Sequence, residues 1–93
     1  MPKPPKSTLK IFIKGIYFDQ IISRTKNTEF RQVTPFWSSR LLDANNKKRH
    51  YDQIEFINGM RPDSRRVITG FEGFNKKGEK YLIGIGKILK KNF

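Results

Sequence analysis

Lys26, Glu29 and Arg31 are the residues whose types and spacing most invite chemistry. They fall in the segment Ser23-Arg24-Thr25-Lys26-Asn27-Thr28-Glu29-Phe30-Arg31. Side chains alternate along a strand, so Glu29 and Arg31 would share a face if this segment is extended. Lys26 sits in the polar turn that feeds the strand, and its long side chain can swing over that same face. A carboxylate between two cations holds them apart and orients them. The cations can then bind an anion or hydrogen-bond a carbonyl. Desolvation of a lysine at such a mouth favours its neutral form, which makes Lys26 and Glu29 candidate acid–base residues as well. The same spacing also fits a solvated surface pair, which would carry little energy. Burial distinguishes the two.

Other residues have two roles open to them. Trp37 can stack on a base or pack on the core, as large aromatics in small domains do. Tyr17 is a cleft candidate because its hydroxyl needs a partner. Arg61, with Arg65 and Arg66, lies in the turn region after the third expected strand and can clamp phosphate or remain solvated. Lys47, Lys48 and Arg49 form a basic loop suited to general polyanion contact. Glu72 sits on an expected strand, where either face is open to it. Thr28 is next to Glu29 and points to the opposite face.

Composition narrows the classes. The chain has 93 residues, and 20 Lys and Arg against 8 Asp and Glu give it a net charge of +12. That excess is the electrostatic footprint of a polyanion partner: RNA or another nucleic acid, or a nucleotide or nucleoside. With no cysteine, thiolate catalysis, disulfides and thiolate metal sites are excluded. One histidine, His50, does not make a His-rich metal site, and no cofactor is expected. No apolar stretch is long enough for a membrane helix, no basic amphipathic helix is visible, and the N-terminus lacks the apolar core of a signal peptide. A soluble cytoplasmic protein without a membrane partner is the expectation.

The elements that must position these residues follow from periodicity. Residues 1–7 are rich in Pro and Lys and read as an extended basic tail; residues 8–93 read as a single domain. Thr8 to Lys14 alternates as a strand, with Leu9, Ile11 and Ile13 on one face. Ile16 to Arg24 has helical spacing, pairing Tyr17 with Ile21 and Phe18 with Ile22. Thr28 to Val33 reads as a second strand. Thr34-Pro35 is a helix start, so a second helix is expected from Pro35 to about Leu42. Three more strands follow at Tyr51–Asn58, Val67–Phe74 and Tyr81–Leu89. Asn75-Lys76-Lys77-Gly78 is expected as a hairpin loop, and Lys90-Lys91 as the charged end of the last strand. Glycines 70, 73, 84 and 86 mark bends in the last two strands. The expected fold is α+β in the order β-α-β-α-β-β-β: a five-stranded barrel or strongly curved sheet with two short helices.

This chain resembles the ASCH family, which is related to the PUA domain. The family's hallmark is a helix ending near Ser-Gly-x-Lys-x-x-Glu-x-Arg after a first strand, and Lys26, Glu29 and Arg31 match its Lys, Glu and Arg. Arg24 stands where the family usually has Gly. The segments Pro35-Phe36-Trp37, Phe56-Ile57-Asn58-Gly59 and Tyr81-Leu82-Ile83-Gly84-Ile85-Gly86-Lys87-Ile88 also look like small single-domain members, and the resemblance spans about residues 8 to 90. It implies a PUA-like barrel with a cleft against the helices that binds RNA or a nucleotide. In one branch of small members, an amidohydrolase acting on acetylated cytidine, a Lys is the base and a Thr the nucleophile. This chain has Glu29 at the Thr position, and a carboxylate is not a hydroxyl nucleophile. Two functions follow: a binding module whose cleft of Lys26, Glu29 and Arg31 holds a base or nucleotide, or a small nucleoside-modifying hydrolase using Lys26 and Glu29 as acid and base.

Overall fold

Alternation of apolar and polar residues sets the first strand. In the computed structural model, which describes residues 7–93, β1 spans Thr8–Phe12. Leu9, Ile11 and Ile13 are buried, while Lys10, Phe12 and Lys14 face outward. Helix α1 (Gly15–Ile22) buries Phe18 and Ile21 and leaves Tyr17 outside, so the inward pair is spaced three apart instead of four. Strand β2 covers Thr28–Gln32. Helix α2 (Pro35–Leu41) starts as its sequence demands: Thr34 Oγ1 accepts the Trp37 amide at 3.3 Å, and Pro35 opens the first turn. Strands β3 (Gln53–Asn58), β4 (Arg65–Lys77) and β5 (Lys80–Asn92) complete the order β-α-β-α-β-β-β.

The strands form one mixed sheet in the order β1-β3-β4-β5-β2. β1 runs parallel to β3, and the other pairs are antiparallel. The sheet curls into a half-barrel whose two edges are β1 and β2. The long β4–β5 ribbon produces the curl. Its register shifts between Ile68 and Phe74, and extra residues there increase twist. The two strands cross closely at Gly86, where a Cβ would sit 3.0 Å from the Gly70 Cα. Ile11, Phe18, Ile54, Phe56, Val67 and Ile83 are fully buried in the core, and each such side chain stabilises the fold by roughly 1.5–3 kcal/mol.

Several boundaries differ from those read in the sequence. β4 and β5 run well past Phe74 and Leu89. Asn75, Lys76 and Lys77 pair with Leu82, Tyr81 and Lys80, so the hairpin loop shrinks to Gly78-Glu79, with Gly78 at φ +61. A glycine at the first position of a two-residue hairpin suits that geometry. Lys90 and Lys91 do not end β5 but pair with Ile68 and Val67. Tyr51 and Asp52 precede β3 instead of opening it. The expected tail over residues 1–6 lies outside the described residues. Ser7, its last residue, donates its amide to Asp52 Oδ2 at 2.9 Å. Among the described residues no helix is long and apolar enough to cross a membrane.

Candidate functional site

The turn that carries Lys26 is built by the end of α1. The Arg24 amide donates to the Ile21 carbonyl at 3.1 Å and the Thr25 amide to Gln20 at 3.0 Å. These two bonds are the crossed pair of a Schellman motif, with Arg24 in the left-handed position at φ +67. Glycine is the usual residue there, because a side chain costs energy in that conformation. The Lys26 amide also reaches Gln20 O at 3.1 Å, and Ile85 of β5 donates to Asn27 O at 2.9 Å. The turn is thereby tied to the helix before it and to the sheet beside it, which fixes the root of the Lys26 side chain.

Strand alternation then places Glu29 and Arg31 on one face, as their spacing requires. Lys26 Nζ lies 3.1 Å from Glu29 Oε1. Arg31 Nε donates to Glu29 Oε2 at 2.8 Å, and Arg31 Nη2 donates to the same oxygen. Arg31 Nη2 also donates to the Phe12 carbonyl of β1 at 2.9 Å. Glu29 is only 5% exposed. These are therefore not solvated surface pairs: a nearly dry carboxylate is held between two cations. Both of its oxygens are occupied. Lys26 has donor capacity beyond its one carboxylate, and Arg31 Nη1 has no hydrogen-bond partner among the described residues. Both cations line a cleft at the open seam of the half-barrel.

The cleft encloses about 1060 Å³ between β1, β2 and the two helices. Tyr17, Phe30 and Trp37 line it beside the trio. Lys26 Nζ is 5.4 Å from the Tyr17 ring centroid and 5.6 Å from that of Phe30, while the Arg31 guanidinium lies 5.0 Å from Trp37. Each contact is within cation–π range, so the aromatic walls also steer the cations. Trp37 packs against the core on one side and lines the cleft on the other. Lys14, Gln32, Thr34 and Asn58 complete the polar lining.

The remaining basic candidates are not brought to this cleft. Lys48 and Arg49 border a second, smaller hollow with His50, Thr28 and Glu72. Lys48 Nζ is spent on the Phe74 carbonyl at 2.6 Å, and Arg49 Nε on the Leu42 carbonyl at 3.0 Å. Lys47 is exposed in the same loop. Arg61 is exposed after Met60, its amide held by Ser64 Oγ at 3.0 Å. Arg65 and Arg66 lie in β4 and not in a turn. Arg65 pairs with Asp19 at 3.1 Å and Arg66 with Glu55 at 3.5 Å. Phe12, Phe30, Phe36 and Met60 line the cleft without having been expected to. Phe12 and Phe30 did leave a signal, because each is a large aromatic on the outward face of an alternating strand.

Compared with known proteins, the chain matches no family model, no curated protein and no solved structure.

Proposed function

We propose that this is a nucleic-acid or nucleotide binding domain of the ASCH type, acting on RNA, with a base or nucleotide held in the cleft of Lys26, Glu29 and Arg31. One observation carries this reading. Two cations are oriented by a nearly dry carboxylate, their remaining donors face an aromatic-walled cleft, and the chain around them carries a net charge of +12. Preorganised donors suit a phosphate or a base carbonyl, and the rings suit a base face. Acid–base hydrolysis is the less supported alternative. A general base must have a free lone pair near the proton it takes, and Glu29 accepts two hydrogen bonds from Arg31 on Oε2 and contacts Lys26 through Oε1, which leaves it one lone-pair site on a nearly buried oxygen. Thr28, the adjacent hydroxyl, borders the other hollow.

The test is a titration with CMP, AMP and a short single-stranded RNA, followed by amide shift perturbation. Perturbation centred on Lys26, Arg31 and Trp37, with RNA affinity falling steeply as salt rises, supports the reading. Shifts confined to the Lys47–His50 loop, or no binding at low salt, contradict it. Turnover of an acylated nucleoside would favour the hydrolase.

A further inference from the structure

The cleft is larger, and more apolar at its rim, than one nucleotide needs. Its volume of about 1060 Å³ lies just above the roughly 300–1,000 Å³ typical of small-molecule pockets. Phe12, Tyr17, Phe30, Phe36 and Met60 all line it, and all are exposed. Large apolar side chains gathered at one exposed place mark an interaction surface. Here they surround cations. Phe30 sits between Glu29 and Arg31 on β2, with Lys26 Nζ 5.6 Å from its centroid. Phe36 sits at the start of α2, with the Arg40 guanidinium 3.6 Å from its centroid. Each ring therefore has a positive group beside it. Single-strand binders use this combination, in which a base stacks on the ring while the cation meets the phosphate.

We propose that the cleft takes a segment of single-stranded RNA and not a lone nucleotide, with one nucleotide on Lys26 and Arg31 and its neighbours stacked on Phe30 and Phe36. This deepens the function proposed above and rests on it. Charge selects the occupant. Lys14, Lys26 and Arg31 outnumber Glu29 in the cleft, so a second copy of this chain would bring the same sign of charge to the same face. A duplex keeps its base faces stacked inside and cannot offer them to exposed rings.

The experiment compares AMP, the trinucleotide ApApA, a short RNA duplex and an acidic peptide at one salt concentration, on the wild type and on Phe30→Ala, Phe36→Ala and Lys26→Met. Both phenylalanines are more than half exposed, so their truncation leaves the core intact. ApApA should bind about ten-fold or more tighter than AMP, and each phenylalanine substitution should weaken ApApA by roughly five-fold or more, a larger factor than it costs AMP. A loss at one ring is enough to support a stacked neighbour. An ApApA advantage that survives both substitutions comes from phosphate charge alone and overturns this inference; if AMP still depends on Lys26, the cleft reading survives it. If neither AMP nor ApApA binds, both fall. Duplex or acidic-peptide binding equal to that of ApApA, and equally sensitive to the phenylalanines, also overturns the inference.

Discussion

Arg31 of β2 donates from Nη2 to the main-chain carbonyl of Phe12 in β1 at 2.9 Å, joining the two edge strands of the open sheet. The same guanidinium grips Glu29 through Nε. One side chain therefore bridges the seam and orients the buried carboxylate. Arg31→Lys keeps the charge but cannot make both contacts, because an ammonium is a point charge without the planar fork. Urea unfolding should show a loss of about 1–3 kcal/mol, as expected for hydrogen bonds to a charged group. Amide exchange should accelerate along β1 and β2 more than in β4. An unchanged midpoint would show that the clasp carries no energy.

Glu29 is the counter-charge for both cations. Glu29→Gln preserves its shape but removes that charge from a nearly dry site, where surviving cations lose their compensation. The expected cost is about 1.5–3 kcal/mol. A cost under ~1 kcal/mol is what a solvated surface pair would give, and denaturant titration separates the two.

Arg24 occupies the left-handed position of the Schellman turn at φ +67. Arg24→Gly relieves that conformation and loses only a long bond from Nη1 to the Gly86 carbonyl at 3.5 Å. A net stabilisation of about 0.5–1 kcal/mol is expected, the side-chain penalty outweighing the added freedom of the unfolded chain. A lower midpoint on denaturation would mean that the Gly86 contact outweighs the backbone.

Asp43 predicts a pH response in the loop after α2. Its carboxylate accepts the Lys47 and Asn45 amides, which together with nearby Arg49 hold its pKa below the usual value. A depressed folded pKa contributes stability that is complete above the unfolded value of about 3.9 and is lost as pH falls through the folded one. The Asn45 and Lys47 amide signals should move with a midpoint below the unfolded value of about 3.9. A midpoint at or above that value would contradict this.

Much of this architecture was legible in local pattern. The alternation of Leu9, Ile11 and Ile13 set the buried face of β1, and Thr34-Pro35 marked the start of α2. Spacing alone put Glu29 and Arg31 together, with Lys26 close by. The cleft walls were less legible. Alternation says which face a residue takes but not what stands opposite. Phe12 and Arg31 meet only because the sheet curls enough to bring its two edges together. The strand ends were misread for a related reason. Asn75 to Lys77 and Lys90-Lys91 look like loop and terminus by charge, yet each has a partner across the β4–β5 ribbon, and pairing outweighs polarity there. The basic run Lys47-Lys48-Arg49 suggested a general polyanion contact, and the loop is exposed. What its charge did not reveal is that Lys48 Nζ and Arg49 Nε each donate to a main-chain carbonyl.

The central claim is that Lys26, Glu29 and Arg31 form the ligand site. The most direct measurement is the affinity of AMP for the wild type, Lys26→Met, Glu29→Gln and Arg31→Met, each first shown to be folded by its amide spectrum, alongside the affinity of a long single-stranded RNA. Lys26→Met and Arg31→Met should each weaken AMP by about ten-fold or more, the scale of a lost charge-assisted contact, and Glu29→Gln should change AMP affinity by freeing the two cations it orients. Affinity for the long RNA should mostly persist, because it draws on charge distributed over the surface. Equal AMP affinity across the four proteins would contradict the account and place the site elsewhere.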